Sequence, residues 1–412
     1  MMRGFSDDSG GSTVPGKNLC GLPGRRLAGI PVALVAALLS ATLGGCGTIS
    51  GWFSSSKTKP ADLVAFQTTL PVRQLWSVKI GGAEKYFFTP AVVDDKLAYA
   101  ASADGTIAKI DLATGQALWR IRAGQDLSAG VGTDGELVVV VSNRGEVLAF
   151  DAAGKERWRS STNSEIVSPP AVGGGVVVVR STDSRFHAFD ASTGSRRWGF
   201  QRQAQSLVLR IAPGMPVGND LLYAGLPGGR LIALTLSNGS LRWDSSVATP
   251  KGATDLERVA DVVGTPVLAK GNVCAVAYQG RAGCFEALNG YESWGREISS
   301  GAGLAIDQRF VFITDQKSAL NALSSNNGTS VWRNDKLLYR GVGAPASVGR
   351  AVVAGDFKGI LHWLSREDGS FMARTNTDGS PLTAQPIAFS SGTTPAVLVQ
   401  TRAGNLFAFG AE

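Results

Sequence analysis

Apolar and polar residues alternate along most of the chain in short runs, and no stretch of useful length has a helical period. Four consecutive valines begin at Val176, for example, and a second apolar run, Phe186 to Phe189, follows after a turn. A period of two residues is typical of strands, because successive side chains point to opposite faces of a sheet. The pattern predicts an all-β fold of many short strands joined by glycine turns.

The runs belong to one repeat: a glycine, an alternating apolar run, often an Asp, then a turn glycine and a Trp four residues later. The copies run from Gly105 to Trp119, Gly145 to Trp158, Phe186 to Trp198, Gly229 to Trp243, Gly283 to Trp294, Ala322 to Trp332, Gly359 to Ala373 and Gly404 to Phe409. The tryptophans from Trp76 onward are spaced by 43, 39, 40, 45, 51 and 38 residues. A period of about 40 residues accommodates four strands and their turns, which is one propeller blade.

The two ends of the repeat region complement each other. Leu75 to Val78 resembles a final blade strand with nothing before it, while Leu406 to Phe409 lacks the Trp strand that should follow. Pairing the two completes a blade and removes the open edge of a linear array. Residues 71–412 are therefore predicted to form an eight-bladed β-propeller of four-stranded antiparallel blades, closed by joining the N- and C-terminal strands.

The N-terminus carries an export signal. Arg25 and Arg26 precede an apolar run that ends in the small residues before Cys46. The run is shorter than the roughly 20 residues of a bilayer span, so residues 1–45 are predicted to be a signal peptide rather than an anchor helix. Leu43-Gly44-Gly45-Cys46 resembles the lipobox of bacterial lipoproteins. That resemblance implies acylation of Cys46 and, with Gly47 next to it, lipid anchoring at the periplasmic face of the outer membrane.

Residues 46–70 are rich in Ser, Thr, Lys and Pro, and we predict a lipidated flexible tether there. Loss of the leader removes four basic and two acidic residues, so the formal charge falls from +7 to +5. With so mild a charge and no basic cluster among aromatics, no nucleic-acid partner is expected.

Few residues suggest metal or redox chemistry. His187 and His362 lie far apart in sequence and are interpreted as ordinary sheet residues, so no metal site is expected. An exported compartment permits a disulfide between Cys274 and Cys284, whose segments are predicted neighbouring strands of one blade. The bond requires α carbons within about 7 Å, which the sequence leaves open. The repeated Asp and Trp are interpreted as turn and packing residues.

The element Asp-x-x-Thr-Gly-x-x-x-Trp, present from Asp111 to Trp119 and from Asp190 to Trp198, resembles the repeat of quinoprotein-like propellers. With the lipobox, the whole mature chain is similar to the propeller lipoproteins of the outer-membrane β-barrel assembly (BAM) machinery. The resemblance implies a non-catalytic scaffold without a cofactor, which assists the folding and insertion of barrel proteins. Whether it also contacts unfolded outer-membrane clients stays open.

Two segments between blades carry the more specific resemblance. Ser206 to Arg210 is similar to a Leu-x-Leu-Arg element, and Asp255 to Val262 to an acidic loop, although Val263 replaces a frequent second Asp. In that family these loops dock the POTRA domains of the central barrel protein, BamA. The residues that this resemblance assigns to partner binding are Leu207, Leu209, Arg210, Glu257, Arg258 and Asp261.

Loop length points independently to the same place. From the repeat Trp to the Pro that opens the next blade, other connections span 11 to 13 residues, but Trp198 to Pro216 spans 18 and Trp243 to Pro266 spans 23. Equivalent connections of consecutive blades emerge side by side, and long loops on a rigid scaffold commonly bind partners. We expect Leu207 and Leu209 to be exposed on the same face as Asp261.

Two other functions occur among propellers of this kind. A pyrroloquinoline-quinone dehydrogenase would carry a vicinal Cys-Cys pair and an insert large enough to enclose its cofactor, and the sequence contains neither. A propeller that binds cell-wall glycan remains the alternative.

Overall fold

The computed structural model describes residues 59–82, 88–202, 207–211, 213–382 and 384–412. Cys46 and the signal peptide lie outside these residues. The described part contains 32 strands in eight four-stranded antiparallel sheets and a single-turn 3-10 helix, Pro227–Gly229. None of its helices has the length and apolar character needed to span a bilayer. The prediction of an eight-bladed propeller is confirmed.

The first four blades, each given from inner to outer strand, follow one another along the chain. They are β2 (Ala91–Val93), β3 (Leu97–Ala101), β4 (Thr106–Asp111), β5 (Ala117–Arg122); β6 (Gly132–Thr133), β7 (Leu137–Val141), β8 (Glu146–Asp151), β9 (Glu156–Ser161); β10 (Ala171–Gly173), β11 (Val176–Arg180), β12 (Arg185–Asp190), β13 (Arg196–Gln201); and β14 (Val217–Gly218), β15 (Leu221–Leu226), β16 (Arg230–Thr235), β17 (Leu241–Ser246).

Blades 5 to 8 continue the order, except that the outer strand of blade 8 comes from the beginning of the chain. They are β18 (Val262–Ala269), β19 (Asn272–Ala277), β20 (Ala282–Glu286), β21 (Glu292–Arg296); β22 (Gly303–Ile306), β23 (Phe310–Thr314), β24 (Leu320–Ser324), β25 (Ser330–Asn334); β26 (Ala346–Val348), β27 (Ala351–Gly355), β28 (Ile360–Ser365), β29 (Phe371–Asn376); and β30 (Ile387–Ser391), β31 (Thr394–Gln400), β32 (Asn405–Ala411), β1 (Val72–Lys79).

The core lies between neighbouring blades, so a second strand is covered on both faces. Val177 and Val179 of β11 pack with Val139 and Val141 of blade 2, while Val176 and Val178 pack towards blade 4. Two-sided burial explains why the second strands are runs of apolar residues instead of alternating ones. The repeat therefore builds rigid sheets whose connections alone are free to vary.

The ring closes between the two ends of the chain, as predicted. β1 pairs antiparallel with β32, from Val72 opposite Ala411 to Lys79 opposite Asn405. The amide of Glu412 also donates to the carbonyl of Pro71, at 3.0 Å. Every blade thus has four strands, and the final one is assembled from both termini.

Seven seams between blades use the repeat Trp. Each indole N–H donates to a backbone carbonyl of the next blade, for example Trp76 to Leu112 at 2.8 Å and Trp332 to Arg366 at 2.9 Å. The turn glycine lies flat on the ring: a Cβ on Gly115, whose φ is +73°, would come within 2.5 Å of Trp76. The packing role expected of these tryptophans is confirmed.

The eighth seam has Ala373 in place of Trp. A Trp there would need the turn between the third and fourth strands of blade 8, but the chain ends occupy that place. Leu70, only 2 % exposed, packs instead with Ala373, Met372 and Trp363 in the core of this seam. The departure of the seventh repeat from the pattern is therefore a consequence of where the ring closes.

Leu70 ends a segment, residues 59–70, that we call the strap. Its backbone bonds to blade 7 and the connection before it: the amide of Ala61 donates to Leu338 at 2.9 Å and that of Thr69 to Met372 at 2.9 Å. Arg340, Arg350 and Arg374 donate to strap carbonyls. The prediction of a flexible tether over residues 46–70 is wrong for residues 59–70. Composition does not reveal that other parts of the chain bind this segment through its backbone.

Candidate functional site

The two long connections lie together on one face. The first loop, residues 202–216, joins β13 to β14, and the second loop, residues 247–261, joins β17 to β18. Residues 203–206 and 212 of the first loop are outside the described part. The amide of Gly214 donates to the hydroxyl of Thr265, just beyond the second loop, at 2.9 Å. The predicted neighbourhood of the loops is therefore observed.

The first loop divides its apolar side chains between core and solvent. Leu207 and Val208 are 45 % and 41 % exposed. Leu209 and Ile211 instead pack against the cluster between blades 5 and 6, which contains Val263. Leu207 meets the expectation of exposure. Leu209 does not, because its side chain packs against this cluster and is only partly exposed.

Arg210 extends into solvent from the same loop, with its side chain 69 % exposed. Its guanidinium donates to the carboxylate of Glu165, which precedes blade 3, at 2.6 Å. No ion pair joins Arg210 to Asp261 among the described residues. An exposed ion pair contributes little to stability, so Arg210 can exchange Glu165 for a partner group at small cost.

Asp261 is 2 % exposed, so the expectation that it shares an exposed patch with the leucines is wrong. Its carboxylate accepts the amide N–H of Leu209 at 2.6 Å and that of Gly228 at 3.1 Å. A buried carboxylate is stable only when its oxygens are hydrogen-bonded, and these amides satisfy them. Asp261 therefore holds the first loop from beneath.

The second loop folds on itself. Glu257 accepts the amides of Ala253 and Thr254, whose hydrogen bonds lower its pKa, and Arg258 donates to the carbonyl of Gly252. Both predicted site residues thus shape their own loop while remaining exposed. Leu256 between them is 68 % exposed. We did not single it out from the sequence, although an apolar residue inside an acidic loop is a usable signal.

A cavity of about 180 Å³ lies under the first loop. Val208, Leu209, Leu226 and Val262 form apolar parts of its wall, and Arg180 and Asp261 supply charges. Burial lowers the pKa of Arg180 to about 10, and the charge of Asp261 opposes that shift. The guanidinium therefore stays cationic at neutral pH.

The remaining candidate residues lie away from these loops or serve the fold. Cys274 and Cys284 are directly opposite in β19 and β20, their α carbons are 4.0 Å apart, and they form a disulfide. His187 contacts Ser181, and the fully buried His362 contacts Asp356. Among the described residues no three potential ligands gather at a metal site.

The geometry first defines a class of protein, the eight-bladed propellers with a quinoprotein-like repeat. A quinohemoprotein alcohol dehydrogenase from Comamonas testosteroni has this fold, with a TM-score of 0.67 at 15 % identity over 82 % of this chain and 76 % of that one. At this identity the likeness concerns the fold alone.

Sequence comparison is more specific. The family model described as outer membrane protein assembly factor BamB matches residues 103–334. The chain is 42 % identical to BamB of Bordetella pertussis over 365 residues, 88 % of this chain and 93 % of that one. It is also 42 % identical to BamB of Burkholderia pseudomallei over 379 residues, 92 % of this chain and 97 % of that one.

A solved structure agrees with the sequence comparison. The crystal structure of BamB from Moraxella catarrhalis superposes with a TM-score of 0.75 at 23 % identity, covering 82 % of this chain and all of that one. The chain belongs to the BamB family, and the family resemblance predicted from the sequence is confirmed.

Proposed function

We propose that this chain is a non-catalytic scaffold lipoprotein of the BAM complex that binds the POTRA domains of BamA through its two long loops. The relatives are described as outer membrane protein assembly factors, which supports a role in the assembly of barrel proteins. Anchoring through an acylated Cys46 would place the propeller at the periplasmic face of the outer membrane.

The observation that carries the proposal is the exposed apolar surface of the loops. Leu207, Val208 and Leu256 project from connections that are longer than their equivalents in other blades, and the exposed Arg210 follows Leu207 and Val208 in the first loop. Apolar anchors next to an Arg are the residues that usually dominate interface energetics. The loops also rest on hydrogen bonds to the rigid propeller, so little ordering entropy opposes docking.

The first prediction concerns this surface. Leu207→Ala combined with Arg210→Ala should weaken binding to purified BamA POTRA domains by about tenfold or more, since hot-spot truncations cost about 2 kcal/mol. Titration calorimetry measures the change. The matched control is Leu118→Ala with Arg122→Ala on β5, where the Leu is 55 % exposed and the Arg is also in an exposed ion pair. Normal binding by the first variant would overturn the assignment.

The second prediction concerns the anchor. Mass spectrometry of the mature protein from outer membranes should find an acylated Cys46 at its N-terminus, because Leu43 to Cys46 is the lipobox-like context of the chain. An unmodified chain that starts elsewhere contradicts the proposal.

Pull-down of the same lipidated protein should recover BamA, whereas recovery of peptidoglycan would favour a glycan-binding propeller.

A further inference from the structure

Asp261 is the meeting point of three chain segments. Its carboxylate accepts one amide from the first loop, Leu209, and one from the 3-10 turn, Gly228, and its own residue directly precedes β18. Its backbone carbonyl also accepts the amide of Tyr278 at 2.8 Å. One buried side chain thus fixes the height of the first loop above the seam between blades 4 and 5.

Packing beneath the loop is incomplete, because a cavity of about 180 Å³ lies between residues 208–211 and residues of blades 3 and 4. Leu209 and Ile211 touch the core on one side, and the Asp261 carboxylate bridges to the backbone on the other. The exposed positions of Leu207 and Val208 follow from that backbone position. A change at Asp261 would therefore alter the exposed surface from within.

The buried carboxylate needs an opposite charge, since desolvating an uncompensated charge is costly. Arg180, the last residue of β11, lines the same cavity. It donates to the carbonyl of Gly225 at 2.6 Å and to the hydroxyl of Ser168 at 3.4 Å. These bonds hold the guanidinium on the wall of the cavity that Asp261 also lines, where its positive charge compensates the buried carboxylate without direct contact.

We propose that Arg180 and Asp261 are positioning residues of the docking site: Asp261 fixes the backbone of the first loop, Arg180 acts through Asp261, and neither touches the partner. The inference has two arms. The effect on partner binding is the binding arm, and only this arm rests on the proposed function. The order of the first loop is the structural arm, and it can be measured on the protein alone.

Hydrogen exchange, resolved by residue with NMR, tests the structural arm on the mature chain. Asp261→Asn should raise exchange of the Leu209 and Gly228 amides by about tenfold, because a charge-assisted acceptor is replaced by a neutral one. Arg180→Met should raise the exchange of the same amides by a smaller factor. Arg180→Lys, which keeps the charge, should restore most of the protection. The amide of Val141, in a strand outside this site, serves as the internal control.

The coupling between the two residues gives the decisive readout for binding. Each single variant should weaken the POTRA complex, and Asp261→Asn with Arg180→Met should be no weaker than Asp261→Asn alone, because Arg180 then has no carboxylate to act on. Additive losses would overturn the link between them. Loss of binding by Asp261→Asn without faster exchange at Leu209 would make Asp261 a contact residue and overturn the positioning role.

The outcomes separate this inference from the proposed function. If Leu207→Ala with Arg210→Ala binds normally, the docking assignment fails while the exchange experiment still decides what Asp261 holds. Should Asp261→Asn fail to fold, Arg180→Met leaves both hydrogen bonds of the carboxylate in place and carries the exchange test. Unchanged exchange in that variant would then overturn the role of Arg180.

Discussion

The first loop and the strap are two extended segments on the surface of one propeller, and both are held by charged side chains that bind their backbone. Asp261 accepts the amide of Leu209 in the first loop. In the strap the signs are reversed, since arginines donate to backbone carbonyls, as Arg340 does to Ala61 at 3.0 Å. Recognition of the backbone fixes each segment without specifying its side chains.

The two segments differ in where their apolar side chains go. Leu70 of the strap is buried in the last seam, and Phe66 stacks on Phe371 with ring centroids 5.4 Å apart. Leu207 and Val208 of the first loop have no such cover within the described part of the chain. The comparison teaches that packing within the chain explains the strap, whereas the exposed apolar side chains of the first loop have no such explanation within the described residues and support the docking proposal.

A Leu→Asp substitution in each segment should give the largest difference in the free energy of unfolding. Leu70→Asp should lower the free energy of unfolding by about 3–5 kcal/mol, because it removes core packing and buries a charge. Leu207→Asp should change it by less than about 0.5 kcal/mol, since that side chain is exposed. Urea unfolding followed by tryptophan fluorescence measures both. A comparable loss in the two variants would erase the distinction.

Removal of an aromatic anchor sharpens the contrast. Phe66→Ala should lower the free energy of unfolding by about 1 kcal/mol, as the ring stacks on Phe371 and lies under the Arg374 guanidinium at 4.9 Å. Limited proteolysis should then cut the strap faster. Gln67→Ala, an exposed neighbour, is the control, and equal cleavage of the two variants would count against the stacked arrangement.

The smallest expected effect is a response of the strap to acid. Behind it, Arg340 and His362 both contact the buried Asp356, and Arg374 approaches the other side of His362. Burial lowers the pKa of His362, and Asp356 only partly offsets this. Burial alone would raise the pKa of Asp356, but hydrogen bonds from His362 and Arg340 outweigh it, so that this pKa is also lowered.

Both shifts have the same sign for stability. Unfolded histidine takes up a proton near pH 6.5 and folded His362 only at lower pH, so its stabilisation is present above about pH 6.5 and is lost as the pH falls below it. Asp356 follows at lower pH. We expect the Ala61 and Leu70 amides to lose protection between pH 7.5 and about 5.5. The Leu209 amide should keep it, because no histidine lines the described wall of the cavity under the first loop.

His362→Gln should remove most of this pH response from the strap. Hydrogen exchange corrected for the intrinsic rate at each pH is the measurement. Equal loss at Leu209, or an unchanged response in the variant, would show that the acid effect is global and unrelated to the cluster behind the strap.

Much of the fold could be predicted because the apolar pattern of each repeat indicates its own strands. The incomplete first and last repeats indicate that the two ends pair to close the ring. Local patterns do not encode contacts between distant residues. Ala373 looked like a lapse in the repeat, yet it faces Leu70, about 300 positions earlier in the chain. The strap was predicted to be a tether because its own composition does not show that arginines from blade 7 and the connection before it bind its backbone.

The site was predictable to the level of the loops. Their length and motifs located the face, and the exposure expected of Leu207 is observed, whereas that expected of Leu209 is not. The direction of the side chains could not be predicted, because an irregular loop has no periodicity that tells which apolar residue turns inward. The packing of Leu209 against the blades and the burial of Asp261 beneath the Leu209 amide are seen only in the structure. Arg180 carried no sequence signal, since an Arg at the end of a strand is ordinarily a surface residue.

The strap also determines how the propeller would bear mechanical load. The hydrogen bonds that hold Ala61, Thr69 and Leu70 lie between residue 59 and β1, so a force applied at residue 59 meets them first. Only after these yield would tension reach β1 and begin to peel it from β32, which would open the ring. The strap would therefore protect the closing strand from a force applied at residue 59 until its own hydrogen bonds break.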